Sequence, residues 1–152
     1  MRAPPVLGLA HPGRLGTALA LAMRANLALV LWAEQGRSRA TTKRAEWADF
    51  VAVKSVADLV GRADVVLTAC PPAAALEVAR QAATHRNVEL LVDASCAPLA
   101  GLAEVIDEER LVTATVSDSP PWDGRHAKVV LSGPLAIRAA ELFRGGPLTV
   151  IV

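Results

Sequence analysis

Short apolar runs alternate along this chain with longer stretches in which apolar residues recur at helical spacing. The apolar runs predict strands over Val6–Ala10, Ala28–Trp32, Phe50–Val53, Asp64–Ala69, Glu89–Asp93, Leu111–Val116, Lys128–Ser132 and Leu148–Val152. The stretches between them predict helices over Gly13–Met23, Arg37–Trp47, Val56–Gly61, Pro72–Thr84, Leu99–Ile106 and Leu135–Arg144. Because strands and helices alternate, we expect one α/β domain over residues 1–152, with helices on both faces of a doubly wound, mostly parallel sheet.

Local signals support this assignment. Val65–Leu67 and Leu90–Val92 are apolar without alternation, as expected for central strands that are buried from both sides. Ser55 precedes a predicted helix and is followed three residues later by Asp58, which is a typical pattern at a helix start. A Gly-Gly pair at 145–146 follows the last predicted helix and indicates its end.

Composition narrows the class of protein. With 53% hydrophobic and 20% charged residues among 152, the chain can bury one sizeable core. A net charge of +1 argues against nucleic acid or a membrane surface as a partner, and no apolar segment is long enough to span a bilayer. Cys70 and Cys96 lack the spacing of a disulfide framework or zinc site, so we expect a reducing, cytoplasmic location.

The first strand-to-helix turn carries the clearest chemical signal. We expect the residues from this turn into the helix to bind a diphosphate, because a helix N-terminus offers unpaired amides and partial positive charge. In this prediction Gly13 lets the phosphate approach the backbone, and Gly16 lets the helix pack closely on the sheet. The predicted binding residues are His11, Pro12, Gly13, Arg14, Leu15 and Gly16.

Two features qualify this Rossmann-type turn. His11 stands where the G-x-G-x-x-G fingerprint has its first glycine, so a turn that has lost its ligand is the alternative. Glu34 follows Gly13 by 21 residues, near the spacing of the carboxylate that binds the adenosine ribose, and slightly favours NAD. Arg37 and Arg39 could pair with a 2′-phosphate and keep NADP open, and Glu34 could instead be a solvated loop residue.

Four segments occur in an order that resembles one enzyme family: GLAHPGRLGTALA, SVADLVGRADVVLTACPP, VDASCAPLA and ATVSDS. They are similar to the N-terminal coenzyme domain of the β-hydroxyacid dehydrogenases, which include 3-hydroxyisobutyrate and 6-phosphogluconate dehydrogenases and, more distantly, imine reductases. The resemblance implies an NAD(P) cofactor. It implies that Ala69, Cys70 and Pro71 line the cofactor crevice. It also implies that Ser95 is a substrate-binding residue, which lies beside the nicotinamide and helps to hold the substrate carboxylate. Ser95 could alternatively cap the segment that follows it.

The chain also departs from that family. The stretch Ser117-Asp118-Ser119 replaces the family's S-G-G substrate loop, so Ser117 is a candidate substrate residue, while Asp118 would repel an anionic substrate. The family's catalytic lysine and helical domain would follow Val152, so no catalytic residue is assigned.

We therefore expect an NAD(P)-binding domain that lacks the helical domain. As an oxidoreductase it would need a homodimer partner or another chain to supply the wall of the active site that the helical domain forms in the resembled family. A non-catalytic Rossmann-like interaction protein and a fragment of a longer dehydrogenase are the alternatives.

The remaining candidate residues carry weaker signals. His11, His85 and His126 lack ligand spacing, so we expect no metal site. Both cysteines follow predicted strands, where they could face the crevice or pack as small apolar residues. Trp122 lies in a turn-rich connection and could contact a partner or cover the sheet.

Overall fold

A computed structural model describes residues 2–122 and 127–152, so His126 lies outside the described residues. Within them, every predicted strand and helix forms. The strands are β1 Val6–Leu9, β2 Leu29–Ala33, β3 Val51–Val53, β4 Val65–Thr68, β5 Leu90–Asp93, β6 Leu111–Val116, β7 Lys128–Ser132 and β8 Thr149–Ile151. The helices are α1 Arg14–Met23, α2 Arg39–Trp47, α3 Val56–Arg62, α4 Pro72–Ala83, α5 Leu99–Val105 and α6 Ala136–Glu141.

The strands join one sheet in the order β3-β2-β1-β4-β5-β6-β7-β8, which confirms the doubly wound α/β fold. Neighbouring strands are parallel except for β6 and β7, which pair antiparallel with Ala114 opposite Leu131. The direction in which the chain adds strands reverses between β1 and β4. In an open parallel sheet, such a reversal leaves a crevice beyond the carboxyl ends of the two strands.

Core residues pack on both faces of the sheet. On one face, Leu19, Met23 and Phe143 from α1 and the segment after α6 are buried against β1, β4 and β5. On the other face, α3, α4 and α5 bury a second set that includes Leu59 and Leu102. Strands β4 and β5 are buried along their full length, as their unbroken apolar sequences predict.

Two helix boundaries differ from the prediction by more than one residue. Helix α2 begins at Arg39 instead of Arg37, because Ser38 caps it by accepting a hydrogen bond from the Thr41 amide. Helix α6 ends at Glu141 rather than at residue 144. The Asn26 side-chain amide donates to the carbonyls of residues 142 and 144, at 2.9 and 2.8 Å, and so satisfies groups that a continuing helix would use.

Gly8 brings α3 directly onto the backbone of β1. A Cβ atom at this position would lie 2.5 Å from Leu59 Cδ2 and 3.0 Å from Ala63 Cβ. Both neighbours are completely buried and cannot move into solvent. The close packing of α3 on β1, the strand that leads into the turn before α1, therefore requires a residue without a side chain at position 8.

We predict that Gly8→Ala lowers the free energy of unfolding by about 1–3 kcal/mol, because the added methyl overpacks the core. The matched control is Gly61→Ala in α3, where an added Cβ meets only His85 Nε2 at 3.9 Å. That control should leave stability unchanged or raise it by up to about 1 kcal/mol, since alanine favours helix. Urea unfolding followed by circular dichroism measures both, and equal midpoints for the two variants would contradict the packing argument.

Candidate functional site

The predicted turn residues and the loop after β4 meet at the crevice between β1 and β4. Gly16 sets their distance: a Cβ there would lie 3.0 Å from Leu9 Cδ1 and 3.4 Å from Ala69 Cβ. Helix α1 therefore packs directly on the end of β1 and on the loop that continues through Cys70 and Pro71.

The start of α1 has no side-chain cap. Gly13 is the N-cap residue, its amide donates to the His11 carbonyl at 2.8 Å, and its own carbonyl accepts from the Thr17 amide at 2.9 Å. In the part of the chain that the structure describes, the amides of residues 14–16 have no hydrogen-bond partner. No acidic residue lies in this first turn. Unpaired amides and the positive end of the helix dipole together make an anion-binding position.

Open space lies directly outside this helix start. Among residues 2–122 and 127–152, no atom beyond the adjoining residues approaches within 4 Å of the position where a Cβ on Gly13 would stand. The His11 side chain therefore leaves this position free, although it replaces the usual glycine. Pro12 is buried.

His11 itself is half-buried at the base of the turn. Its Nδ1 atom is buried and has no hydrogen-bond partner among the described residues. Burial, and to a smaller extent the positive charge of Arg37, lower the pKa of the imidazole below its ordinary value. The ring is therefore neutral near pH 7.

Two arginines hold the turn from the side of β2 and α2. The Arg37 side chain donates through Nε to the Ala10 carbonyl at 3.0 Å, and the Arg44 guanidinium donates to the Pro12 carbonyl at 3.1 Å. Both place positive charge beside the helix start. Arg44 was not among the predicted site residues, because an arginine on a helix surface gives no sign in the sequence of a contact 32 residues away.

Glu34 lies just beyond the end of β2, at the same edge of the sheet. Its amide donates to the Val53 carbonyl at 2.9 Å, and this bond fixes the backbone, while the side chain is exposed. Its carboxylate makes no ion pair with another described residue. It is available to a ligand, but equally to water.

Buried polar groups connect the ends of β4 and β5. The Asp93 carboxylate accepts from the Thr68 hydroxyl at 2.8 Å and from the Ser95 amide at 3.2 Å. The Ser95 hydroxyl accepts from the Cys70 amide at 3.0 Å. Ser95 therefore links two loops of the crevice and does not cap α5, whose N-cap is Pro98. Thr68 and Asp93 were not among the predicted site residues, because only this packing brings them to the site.

Ser117 lies apart from this crevice, in an open cleft of about 310 Å³ beyond β5 and β6. We call this the β5–β6 cleft; its lining includes Leu15, Cys96, Thr115, Ser117, Asp118 and Ser119. The Ser117 hydroxyl accepts from the Lys128 amide at 2.9 Å, which ties it to the β6–β7 connection. Leu15 comes from the first turn of α1, so the cleft adjoins the helix start.

The described residues hold no group of three or more His, Cys, Asp and Glu side chains arranged for a metal ion. His85 lies at the end of α4, where its ring contacts the Gln81 carbonyl at 3.1 Å. Over the same ranges, none of the helices has the length and apolar character needed to cross a membrane.

Residues 8–97 match the family described as NADP oxidoreductase, coenzyme F420-dependent, and they make up more than half of the chain. The chain belongs to this family. The matched segment runs from Gly8 to Ala97 and therefore contains the uncapped helix start, Glu34, Cys70 and Ser95. No curated protein matches the sequence.

Solved structures place this family member among dehydrogenase-like domains. The conserved protein MTH1747, described as similar in structure to 3-hydroxyacid dehydrogenases, has a TM-score of 0.79 and 25% identity, over 97% of this chain and 57% of that one. A Plasmodium falciparum pyrroline carboxylate reductase with NADP bound has a TM-score of 0.68 and 16% identity, over 97% of this chain and 58% of that one. A Myxococcus stipitatus imine reductase variant in complex with NAD⁺ has a TM-score of 0.65 and 21% identity, over 98% of this chain and 55% of that one.

These likenesses confirm the resemblance to dehydrogenase coenzyme domains. The chain spans less than three-fifths of the length of each of these relatives. It has the Rossmann-type fold of dehydrogenase coenzyme domains and belongs to the F420-dependent NADP oxidoreductase family.

The two cysteines at this site differ in environment, and we predict different reactivity. Cys96 is exposed, whereas Cys70 is half-buried, and burial is the largest cause that raises the pKa of its thiol. Because the thiolate is the reactive form, iodoacetamide should modify Cys96 first at neutral pH. Modification of Cys70 should accelerate as the pH rises toward its raised pKa.

Peptide mass spectrometry over a time course measures the two rates, with Cys70→Ser and Cys96→Ser as matched controls. Faster labelling of Cys70 than of Cys96 at neutral pH would contradict the assigned environments.

Proposed function

We propose that this domain binds a nicotinamide dinucleotide with its diphosphate at the start of α1. The observation that carries this proposal is the uncapped helix start beside the open space at Gly13. Amides of Arg14, Leu15 and Gly16 would donate to the phosphate oxygens, and the helix dipole would add attraction. His11 and Pro12 would form the inner wall of this cradle.

The crevice supports the same ligand along its length. The reversal of strand order between β1 and β4 is the place where doubly wound sheets bind dinucleotides. Ala69, Cys70 and Pro71 would line the wall opposite α1, held by the Ser95 hydroxyl on the Cys70 amide. The NADP and NAD⁺ complexes of the structural relatives support this proposal at the level of the fold.

We assign coenzyme choice to the residues beyond β2. The exposed Glu34 carboxylate would accept hydrogen bonds from the adenosine ribose and repel a 2′-phosphate, which favours NAD slightly. Arg37 is occupied by the Ala10 carbonyl, whereas Arg39 is exposed at the start of α2. The arginines would allow NADP to bind as well.

Hydride transfer is the chemistry that the bound coenzyme supplies, and the nicotinamide would face the β5–β6 cleft. The chain's own residues would position the ring, but the hydroxyls of Ser95 and Ser117 are already engaged by backbone amides. Asp118 at the cleft would disfavour an anionic substrate near Ser117. We propose that a second copy or another chain completes the wall of the active site. We also propose a cytoplasmic location, because a reducing compartment keeps both thiols free.

We predict that Gly13→Val weakens coenzyme binding by at least about tenfold, because the side chain fills the space meant for the diphosphate. The folded state should tolerate it, since the Cβ position is open and the φ of −72° suits any residue. Isothermal titration with NAD⁺ and NADP⁺ measures binding, and thermal unfolding checks the fold.

Gly61→Ala, distant from the crevice, is the control that should bind as the unchanged protein does. If the unchanged protein releases no heat and gains no thermal stability at millimolar coenzyme, the domain has lost its ligand and the interaction-protein alternative holds.

We also predict that Glu34→Gln shifts the ratio of affinities toward NADP by about threefold to tenfold, since it removes one repulsive charge near the 2′-position. Competition between the two coenzymes, followed by titration calorimetry, gives this ratio. Glu46→Gln, an exposed change on α2, is the matched control. An unchanged ratio in Glu34→Gln would place the ribose elsewhere.

A further inference from the structure

His11 introduces a titratable ring at a position where the fingerprint has a glycine. Its Nδ1 is buried and lacks a hydrogen-bond partner among the described residues. Buried polar atoms in native proteins nearly always have a hydrogen-bond partner, and one that lacks a partner is destabilising. This nitrogen belongs to the residue whose carbonyl accepts from the Gly13 amide, in the turn that would hold the diphosphate.

Several elements that meet at this turn carry charged or titratable groups, and of these Arg37 acts on the ring. Arg14 lies on α1, Arg37 and Arg44 hold the turn from the β2–α2 side, and Glu34 points to solvent beyond β2. From the β4 and β5 loops come the Cys70 thiol and the Asp93 carboxylate, and Asp93 is engaged by Thr68 and Ser95. No described carboxylate is hydrogen-bonded to His11.

We propose that His11 makes coenzyme recognition proton-coupled: when the diphosphate binds, the imidazole takes up one proton and forms an ion pair with it. This inference rests on the proposed coenzyme site and deepens it. In the free domain, burial and Arg37 keep the ring neutral. A bound diphosphate supplies the missing negative charge beside the ring and offsets the repulsion from the arginine. A glycine at this position has no such group.

The direction of the pH dependence follows from linkage. The imidazole pKa is lowered in the free domain and would be higher in the complex, so binding favours the protonated ring. Affinity should therefore rise as the pH falls through the pKa of the complex and level off below that of the free domain. The gain is about tenfold for each unit by which binding raises the pKa.

The experiment is calorimetric titration of the whole chain with NAD⁺ between about pH 5.5 and about pH 8.5, the range in which histidine changes charge. Two buffers with different ionisation enthalpies at each pH count the protons taken up. NAD⁺ is the probe because the 2′-phosphate of NADP⁺ itself titrates near pH 6. Adenosine, which lacks the diphosphate, should bind without this pH dependence.

Three variants separate His11 from other titrating groups. His11→Asn and His11→Gly should bind NAD⁺ with an affinity that no longer rises at low pH, and His85→Asn should keep the full rise. NMR titration of the His11 ring in the unchanged protein, free and with NAD⁺, should give a higher pKa in the complex. This measurement decides the question even if a variant does not fold.

Two results would overturn the inference while leaving the coenzyme site intact. These are NAD⁺ affinity that does not change across the pH range, and a pH dependence that persists in His11→Asn. Absence of NAD⁺ and NADP⁺ binding at every pH would instead overturn the proposed function.

Discussion

The close contact between the start of α1 and the ends of β1 and β4 determines the rest of the site. Gly16 permits this contact, because any side chain there would collide with Leu9 and crowd Ala69. The first-turn amides are consequently held at the edge of the sheet without a side-chain cap. Unpaired amides at an uncapped helix start are unfavourable unless water or a ligand accepts hydrogen bonds from them. The geometry of the fold therefore leaves backbone donors at a position that suits an anion.

Positive charge from residues outside the helix also favours an anion at this position. Arg37 and Arg44 are held by carbonyls of the turn, so their guanidinium groups stay beside it without forming ion pairs with described residues. His11 adds a ring that is neutral in the free domain. The site thus carries more donors and cations than acceptors, which is the electrostatic pattern of a phosphate-binding position.

The neighbouring β5–β6 cleft has a different character. Its Ser117 hydroxyl accepts from the Lys128 backbone amide and so stabilises the β6–β7 connection, and Asp118 brings negative charge to its lining. In the proposed function, coenzyme binding at the helix start and chemistry on a substrate in the cleft would therefore depend on separate parts of the molecule.

The sequence by itself determined the strands, the helices, the strand-helix turn and the family resemblance. These features depend on local periodicity, on glycine positions and on short motifs. Such signals are local in the chain and can be identified without the tertiary structure. Helix ends were less secure, as the cap at Ser38 and the contacts of Asn26 demonstrate.

Only the tertiary structure decided which polar groups are free and which are engaged. Ser95 is bound by Cys70, Arg44 by Pro12 and Asp93 by Thr68, and each pair is separated by at least 25 residues in the chain. The orphaned nitrogen of His11 and the open space at Gly13 likewise exist only once α1, β1 and β4 are packed together. Hydrogen-bond partners and burial are set by such long-range packing, and no local pattern encodes them.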